Sequence, residues 1–379
     1  MGEAMTGTPL QRVRKQLGYS ADGVVRLLRQ RADVRGVPVM TAASLKTKLS
    51  RWENGHEQVS EPYQRLFREI YGRTNDELGF PADEEDDDAA ELRARLEMAR
   101  TVDADTVAVF RRQIDDARRL DRKFGGVTLL DQLRGTIDQV ESLLGYNTIG
   151  GKREQLAGAL TEASTLAGWE ALDRNAISQA WQHYERAKAA AREAMSPALL
   201  AHAMAEQAFI LVDIGEAASA VEQVEHARQA AENAAPPLLR AWLAAAAGEC
   251  LSAAGQRGDA LRAFDAADTL LPPEPIDAEL PFLFLGGSHL DRWRGNALGK
   301  LGEPEAIDQL TDVLPRVPEA FVRARTGLLV DLAYAFAASG DRDAALDHAR
   351  QARRLASRIK SDRQLRRLDG LILPGSSAA

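Results

Sequence analysis

AGQRGDALRAFDAA, residues 254–267, joins a polar glycine hinge to an alanine-rich helix, and the same pattern recurs through the C-terminal half of the chain. IGEAASAVEQVEHA spans 214–227, LGEPEAIDQLTDVL spans 301–314 and SGDRDAALDHARQA spans 339–352; LDRNAISQAWQHYERA at 172–187 is a looser first member. Gly215, Gly255, Gly302 and Gly340 lie 40, 47 and 38 residues apart, a period suited to one antiparallel helix pair. A lone pair leaves an apolar side bare, and only a further pair can cover it, so residues 147–373 are expected to stack as an α-solenoid. Ala218, Ala260, Ala306 and Ala345 are expected where neighbouring helices approach closely. The segment LLPPEPIDAELPFLFLGGS at 270–288, with four prolines, interrupts the pattern and is expected to be an ordered loop or to lead into a helix near Phe282.

Bulk composition agrees with an all-α chain of more than one domain. It has 379 residues, 45% hydrophobic but only 6% aromatic, with alanine runs such as AWLAAAAGEC, a mixture suited to helices packed through small side chains. The single cysteine, Cys250, lies in such a run and is expected to be a buried, inert thiol. No stretch is apolar for the length of a membrane span, and the N-terminus lacks the apolar core of a signal peptide, so a cytoplasmic protein with no membrane contact is expected.

The net charge of −8 hides an asymmetry. Residues 1–73 carry 13 Lys or Arg against 7 Asp or Glu, and the acidic run DEEDDD follows at 83–88. A basic module before an acidic hinge suits a protein that meets nucleic acid locally. The expected organisation is a basic N-terminal domain at 1–80, whose binding of DNA rests on the helices below, an acidic linker at 81–88, a helical connector at 89–146 that could carry a self-association surface, the repeats at 147–373 and a disordered tail at 374–379.

Within the basic module, Pro9 opens a helix bearing Leu10, Val13 and Leu17, and Ser20 caps a second bearing Val24, Val25, Leu27 and Leu28. Thr41 caps a third that Asn54-Gly55 ends, and Tyr63, Leu66, Phe67 and Ile70 have the spacing of a fourth. The third carries the strongest signal, AASLKTKLSRWENGHEQVSEP at 42–62. Leu45, Leu49 and Trp52 fall at i, i+4 and i+7 and can anchor one side. Lys46, Thr47, Lys48, Ser50 and Arg51 occupy the remaining circumference. Such a surface fits the major groove, where Lys and Arg donate to guanine, and Thr47 and Ser50 are short enough for a base edge or a phosphate. Arg12, Arg14 and Lys15 would neutralise phosphates on the flank or be ordinary surface charges, and Arg65, Arg68 and Arg73 have the same two readings.

SRWENG, preceded by QRVRKQLGYSADGVVRLLRQ and followed by VSEP, resembles the Xre/Cro-like helix-turn-helix domains of bacterial repressors. Gly18-Tyr19-Ser20 matches the turn before the second helix, Ser50 to Gly55 the end of the recognition helix, and Pro62 the proline beyond it. The resemblance implies base-edge contacts from Lys46, Thr47 and Arg51. It implies contacts with the phosphate backbone from Ser20, Lys48, Ser50 and Asn54, with Arg12 and Lys15 on the flank, and a core role for Leu49 and Trp52. One departure is RADVRGVPVMT between the second and third helices, where the family has three or four residues; a longer second helix or a wing-like loop would each accommodate it. The motif covers about a fifth of the chain. The whole architecture also resembles actinobacterial Xre regulators with tetratricopeptide-type C-terminal domains.

Enzyme signatures are weak. The six histidines show no ligand spacing, Gly150-Gly151-Lys152 lacks the rest of a phosphate-cradling loop, and no carboxylate pair stands out. Neither metal, cofactor nor catalysis is expected. The functional expectation is a sequence-specific double-stranded DNA-binding regulator, acting as a homodimer because one short recognition helix reads too few base pairs. Its effector would be a peptide, small molecule or protein bound to the repeats, with Phe282, Phe284 and Trp293 as the candidate effector surface. The alternative is a repeat-based scaffold whose N-terminal domain no longer reads DNA.

Overall fold

The computed structural model describes residues 7–81, 84–125, 129–147, 151–231, 234–277, 279–286 and 288–375. They form nineteen α-helices and one short 3-10 turn, with no strand among the described residues. The chain divides into two compact units, Met1–Arg95 and Leu96–Ala379.

The first unit holds α1 (Pro9–Gln16), α2 (Ala21–Arg35), α3 (Ala42–Glu53), α4 (Glu61–Tyr71) and α5 (Asn75–Leu78). Each of the first three begins on a hydroxyl cap, Thr8, Ser20 and Thr41, whose oxygen accepts the N–H three residues on. Thr74 and Glu77 close a reciprocal capping box on α5. Of the two ways to absorb the extra residues after α2, the longer helix is the one taken. It runs to Arg35, stops on left-handed Gly36, and leaves only residues 36–41 as loop. That loop is held down: Val37, Val39 and Met40 pack on the core, and the Met40 N–H donates to the Tyr63 hydroxyl at 3.1 Å.

Helix α6 (Glu84–Arg100) takes in most of the acidic run that the sequence suggested as a linker, and the two units divide within it. The proposed tail overlaps residues 376–379, which lie outside the described ones.

The second unit continues with α7 (Ala104–Phe124) and α8 (Leu129–Tyr146), then five helix pairs. These are α9 (Gly151–Asp173) with α10 (Ile177–Glu193), α11 (Pro197–Asp213) with α12 (Ala217–Ala231), α13 (Pro237–Ala253) with α14 (Arg257–Leu270), α15 (Ser288–Lys300) with α16 (Glu305–Val313), and α17 (Val322–Ser339) with α18 (Arg342–Ile359). Helix α19 (Asp362–Asp369) ends the array. The stacking of successive pairs makes this a tetratricopeptide-like solenoid. Residues 89–146 are not a detached connector from Leu96 onwards: Phe110, Ile114, Leu133 and Ile137 share one buried cluster with Leu156 and Leu160 of the first pair.

Size matching holds three of the five pairs together. Gly168, Gly248 and Gly295 each stand seven residues before a hinge, and a Cβ there would lie 2.8 Å from Tyr184, 2.5 Å from Phe264 and 2.6 Å from Leu310 respectively. The missing side chain on one helix makes room for the large one on its partner. The hinges themselves are left-handed, φ 72° at Gly255, and the looser first hinge uses Asn175 at φ 56°. In the second pair the close-packed alanine is Ala220, not Ala218, which is exposed. Ala180, Ala260 and Ala345 share its register five residues after their hinges, and all are buried, as is Ala306. Cys250 is buried as expected, and burial pushes its thiol up to about 12.

The array closes on itself. From α17, Arg323 ion-pairs with Asp173 at 2.7 Å and Glu170 at 3.4 Å on α9, and also with Asp121 on α7. Around α19, the Ser361 hydroxyl donates to Asp173 at 2.6 Å, Arg363 pairs with Asp213 on α11, and Arg366 donates to Asn175 at 2.9 Å. The first helix of each pair lines the inside and the second lies outside.

Candidate nucleic-acid interface and ligand cavity

In the first unit, α3 is anchored by one side. Leu45, Leu49 and Trp52 are 0%, 1% and 4% exposed, and Trp52 lies 5.1 Å from Tyr63 and 5.9 Å from Phe67, the latter edge-on. Each such burial contributes about 1.5–3 kcal/mol, so the helix cannot readily rotate. Lys46, Thr47, Ser50 and Arg51 are consequently exposed, and Lys48 is half-buried.

These side chains are engaged locally. Lys46 ion-pairs with Asp22 at the start of α2 at 2.7 Å and holds that carboxyl below its usual range. Lys48 pairs with Glu57, and Arg51 reaches the same carboxylate at 3.3 Å. Thr47 donates to the Ala43 carbonyl at 3.2 Å, and the Asn54 amide to the Ser50 carbonyl at 2.7 Å. Exposed pairs of this kind are worth at most about 1 kcal/mol, so a phosphate or base edge can displace them. Ser20 is exposed, its oxygen occupied as the α2 cap at 3.0 Å from the Gly23 N–H. Arg12 and Lys15 are exposed on α1.

Arg14 departs from both sequence readings. It is neither a phosphate contact nor an ordinary surface charge, because its guanidinium is turned inward onto Glu53, the acid of SRWENG.

The second unit holds a half-open cavity of about 630 Å³, within the range that holds a small-molecule ligand. Its wall combines aromatic rings with charge. Phe282, Phe284 and Trp293 are all part of it. The proline-rich segment reaches it as a loop: Leu280, Leu283 and Leu285 are buried beneath, and Phe282 lies 4.3 Å from the His202 ring. Trp293 packs edge-on against Phe209 at 5.9 Å and Trp242 at 5.7 Å. Phe284 stacks on Phe321 at 5.0 Å and meets the His289 ring at 4.4 Å. Tyr184 and Phe264 are core, at 0% and 1% exposure, and Trp181 and Tyr334 are exposed.

The charged members of the wall were not singled out from sequence. Arg118 pairs with Glu162 at 2.8 Å, Lys300 with Glu249 at 2.7 Å and Arg367 with Asp331 at 2.7 Å. Burial raises Glu206 to about 7, beside Tyr184 and His202, and lowers His202 to about 3. Burial likewise raises Glu170, with Asp121 adding to the shift. A readable signal existed: the first helix of a pair is packed on several sides, and charge there, as at Glu170, Glu249, Arg292 and Asp331, has no solvated face to explain it. No group of side chains with metal-ligand geometry occurs among the described residues, and none of their helices is long and apolar enough to cross a membrane.

No protein-family model matches the chain, and no curated protein does. Among solved structures it is similar to BtubC (BKLC) from P. vanneervenii, at 14% identity and a TM-score of 0.42, over 66% of this chain and 94% of that one. It is also similar to a putative kinesin light chain from Podosopora anserina with nearly identical TPR-like repeats, at 16% identity and a TM-score of 0.34, over 52% of this chain and 95% of that one.

Proposed function

We propose that the first unit binds double-stranded DNA through α3 and regulates transcription, and that the second unit is a receptor whose occupancy sets that activity. The observation that carries the DNA reading is the division of α3: Leu45, Leu49 and Trp52 are locked inward while Lys46, Thr47, Ser50 and Arg51 share the outward side. Lys46 and Arg51 would read base edges with Thr47. Ser20, Lys48, Ser50, Asn54, Arg12 and Lys15 would position the phosphates. The protein would act as a homodimer, doubling the bases read.

Selection of bound sequences from a random duplex pool tests this. An enriched motif should emerge, and Lys46→Ala with Arg51→Ala should remove the specific complex, each good base contact being worth about 1–3 kcal/mol. No enriched motif at moderate salt would end the regulator reading.

A scaffold reading has one observation in its favour: Lys46, Lys48 and Arg51 already have carboxylate partners. Under it, the same double substitution would leave the protein's cellular partners bound and no DNA-dependent function would be lost.

A further inference from the structure

The carboxylates that line the cavity are nearly all satisfied by a neighbouring cation, but two of its guanidiniums are not. Arg292 makes no ion pair or hydrogen bond among the described residues, and its Nε is sealed from solvent without a partner. The two carboxylates whose field it feels most are Asp331 and Glu249, already held by Arg367 and Lys300. Arg122 has no carboxylate partner among the described residues either; its guanidinium lies 4.9 Å from the centre of the Phe284 ring. His289, only 7% exposed, leaves its Nε2 without a partner. The Phe284 ring that Arg122 covers meets the His289 ring at 4.4 Å, and Arg292 lies one turn beyond His289 on α15, so the three groups converge on one part of the wall. Burial, then Arg292 and Arg122, lower the imidazole to about 3, so it is neutral near pH 7.

Arg292 is part-buried: its Nε is sealed without a partner while its terminal nitrogens are open to the cavity. A partly desolvated guanidinium with no counter-charge is costly, and a bound anion completes it. The space beside it is equally specific. His289, Arg292, Trp293 and Asn296 follow the turns of α15 along the wall, and Trp293 leads directly to Trp242 and Phe209. The cavity thus offers planar donors suited to an oxyanion, and next to them on α15 the Trp293 ring continues into those of Trp242 and Phe209.

We propose that this cavity receives a small amphipathic anion: a carboxylate or similar oxyanion held by Arg292 and Arg122 beside His289, with its apolar body against Trp293, Trp242 and Phe209. The proposal rests on the receptor reading of the second unit and names its ligand class. The volume suits a drug-sized acid or the free C-terminus of a short apolar peptide, which share this chemistry.

The full-length protein is titrated with two fluorescent probes of nearly one shape, 8-anilinonaphthalene-1-sulfonate, which is anionic, and N-phenyl-1-naphthylamine, which is neutral. The anion should bind more tightly, and Arg292→Met should weaken it about tenfold while changing the neutral probe less than about twofold. Arg122→Met should act in the same direction, and Arg292→Lys should keep most of the affinity. Circular dichroism of each variant separates lost binding from lost folding, and Arg122→Met decides the matter should Arg292→Met not fold. Phenylacetate and a free-acid apolar tetrapeptide are then compared as competitors with phenylacetamide and the amidated tetrapeptide. Whichever acid displaces the anionic probe identifies the source. Equal binding of the two probes, equal losses in the variants, or equal competition by acids and amides would overturn the proposal. None of these measurements involves DNA, so a negative result here leaves the duplex selection untouched, and the converse holds.

Discussion

Arg14 on α1 clasps Glu53 on α3 with two parallel bonds, Nε to Oε1 at 2.5 Å and Nη2 to Oε2 at 2.8 Å, and spends its remaining nitrogen on the Tyr19 carbonyl at 2.9 Å. Glu53 is 4% exposed, so this is a buried, bidentate pair across the domain. The Thr8 hydroxyl adds a bond to the Glu53 carbonyl at 2.9 Å. Together they set where the end of the exposed helix lies.

Arg14→Met should leave the Glu53 carboxylate buried without a counter-charge, at a cost of about 3–5 kcal/mol. Hydrogen exchange of the α1 and α3 amides should accelerate accordingly. The double variant Arg14→Met with Glu53→Leu should recover most of the protection, since a well-packed apolar pair can replace a buried ionic one. A double variant as poorly protected as the single one would mean the pair does something besides neutralise itself.

Gly248→Ala should destabilise the second unit by about 1–3 kcal/mol, because the new Cβ would fall 2.5 Å from the Phe264 ring. Thermal unfolding reads the loss. Phe264→Leu should be less harmful when combined with Gly248→Ala than with the glycine retained. Additive losses would show that the two residues are not the matched pair described.

Glu206 titrates with a definite sign. Its carboxyl is raised from 4.5 to about 7, chiefly by burial, so the folded state holds a proton that the unfolded state releases. Its unfavourable contribution is absent below about pH 4.5, grows as pH rises to 7, and is full above it, reaching about 3 kcal/mol at most. Glu206→Gln should therefore stabilise the protein at pH 8 and do little at pH 4.5. His202, lowered to about 3, acts oppositely, favouring the folded state as pH rises from 3 towards 6.5. Urea midpoints of Glu206→Gln and His202→Gln across pH separate the two; a pH-independent gain in the first would rule out the titration.

Salt dependence distinguishes the flank of the DNA interface from its centre. Lys15→Ala and Arg12→Ala should each lower the slope of log affinity against log salt by about 1 and weaken all duplexes alike. Lys46→Ala should weaken the selected sequence more than a random one. Uniform loss in all three variants would place no base readout at Lys46.

What could be read from sequence was whatever repeats at short range. The inward side of α3 follows from Leu45, Leu49 and Trp52 alone, and the hinges follow from glycines every forty or so residues. Alanine defeats such reading: with small residues at 217, 218 and 220, no contrast marks Ala220 as the buried one. Pairings between distant residues were equally hidden. Arg14 and Glu53 are 39 residues apart, and nothing in QRVRKQ separates Arg14 from Arg12. Arg292 is harder still, since its lack of a partner depends on Arg367 and Lys300 having claimed the nearby carboxylates. The rings of the proline-rich segment were identifiable because they broke a period; Arg292 beside them broke none and stood out only as charge on a helix packed on several sides.

Open stacks of helix pairs usually fray from whichever terminus is weakest, and a shortened stack can still fold. Here the last helix supplies partners to the first, through Ser361 with Asp173 and Arg366 with Asn175, while Arg323 ties α17 back to α7 and α9. Melting therefore has no loose edge at which to begin. A domain assembled from modules is thereby expected to unfold as one core would, in a single transition that different probes report alike.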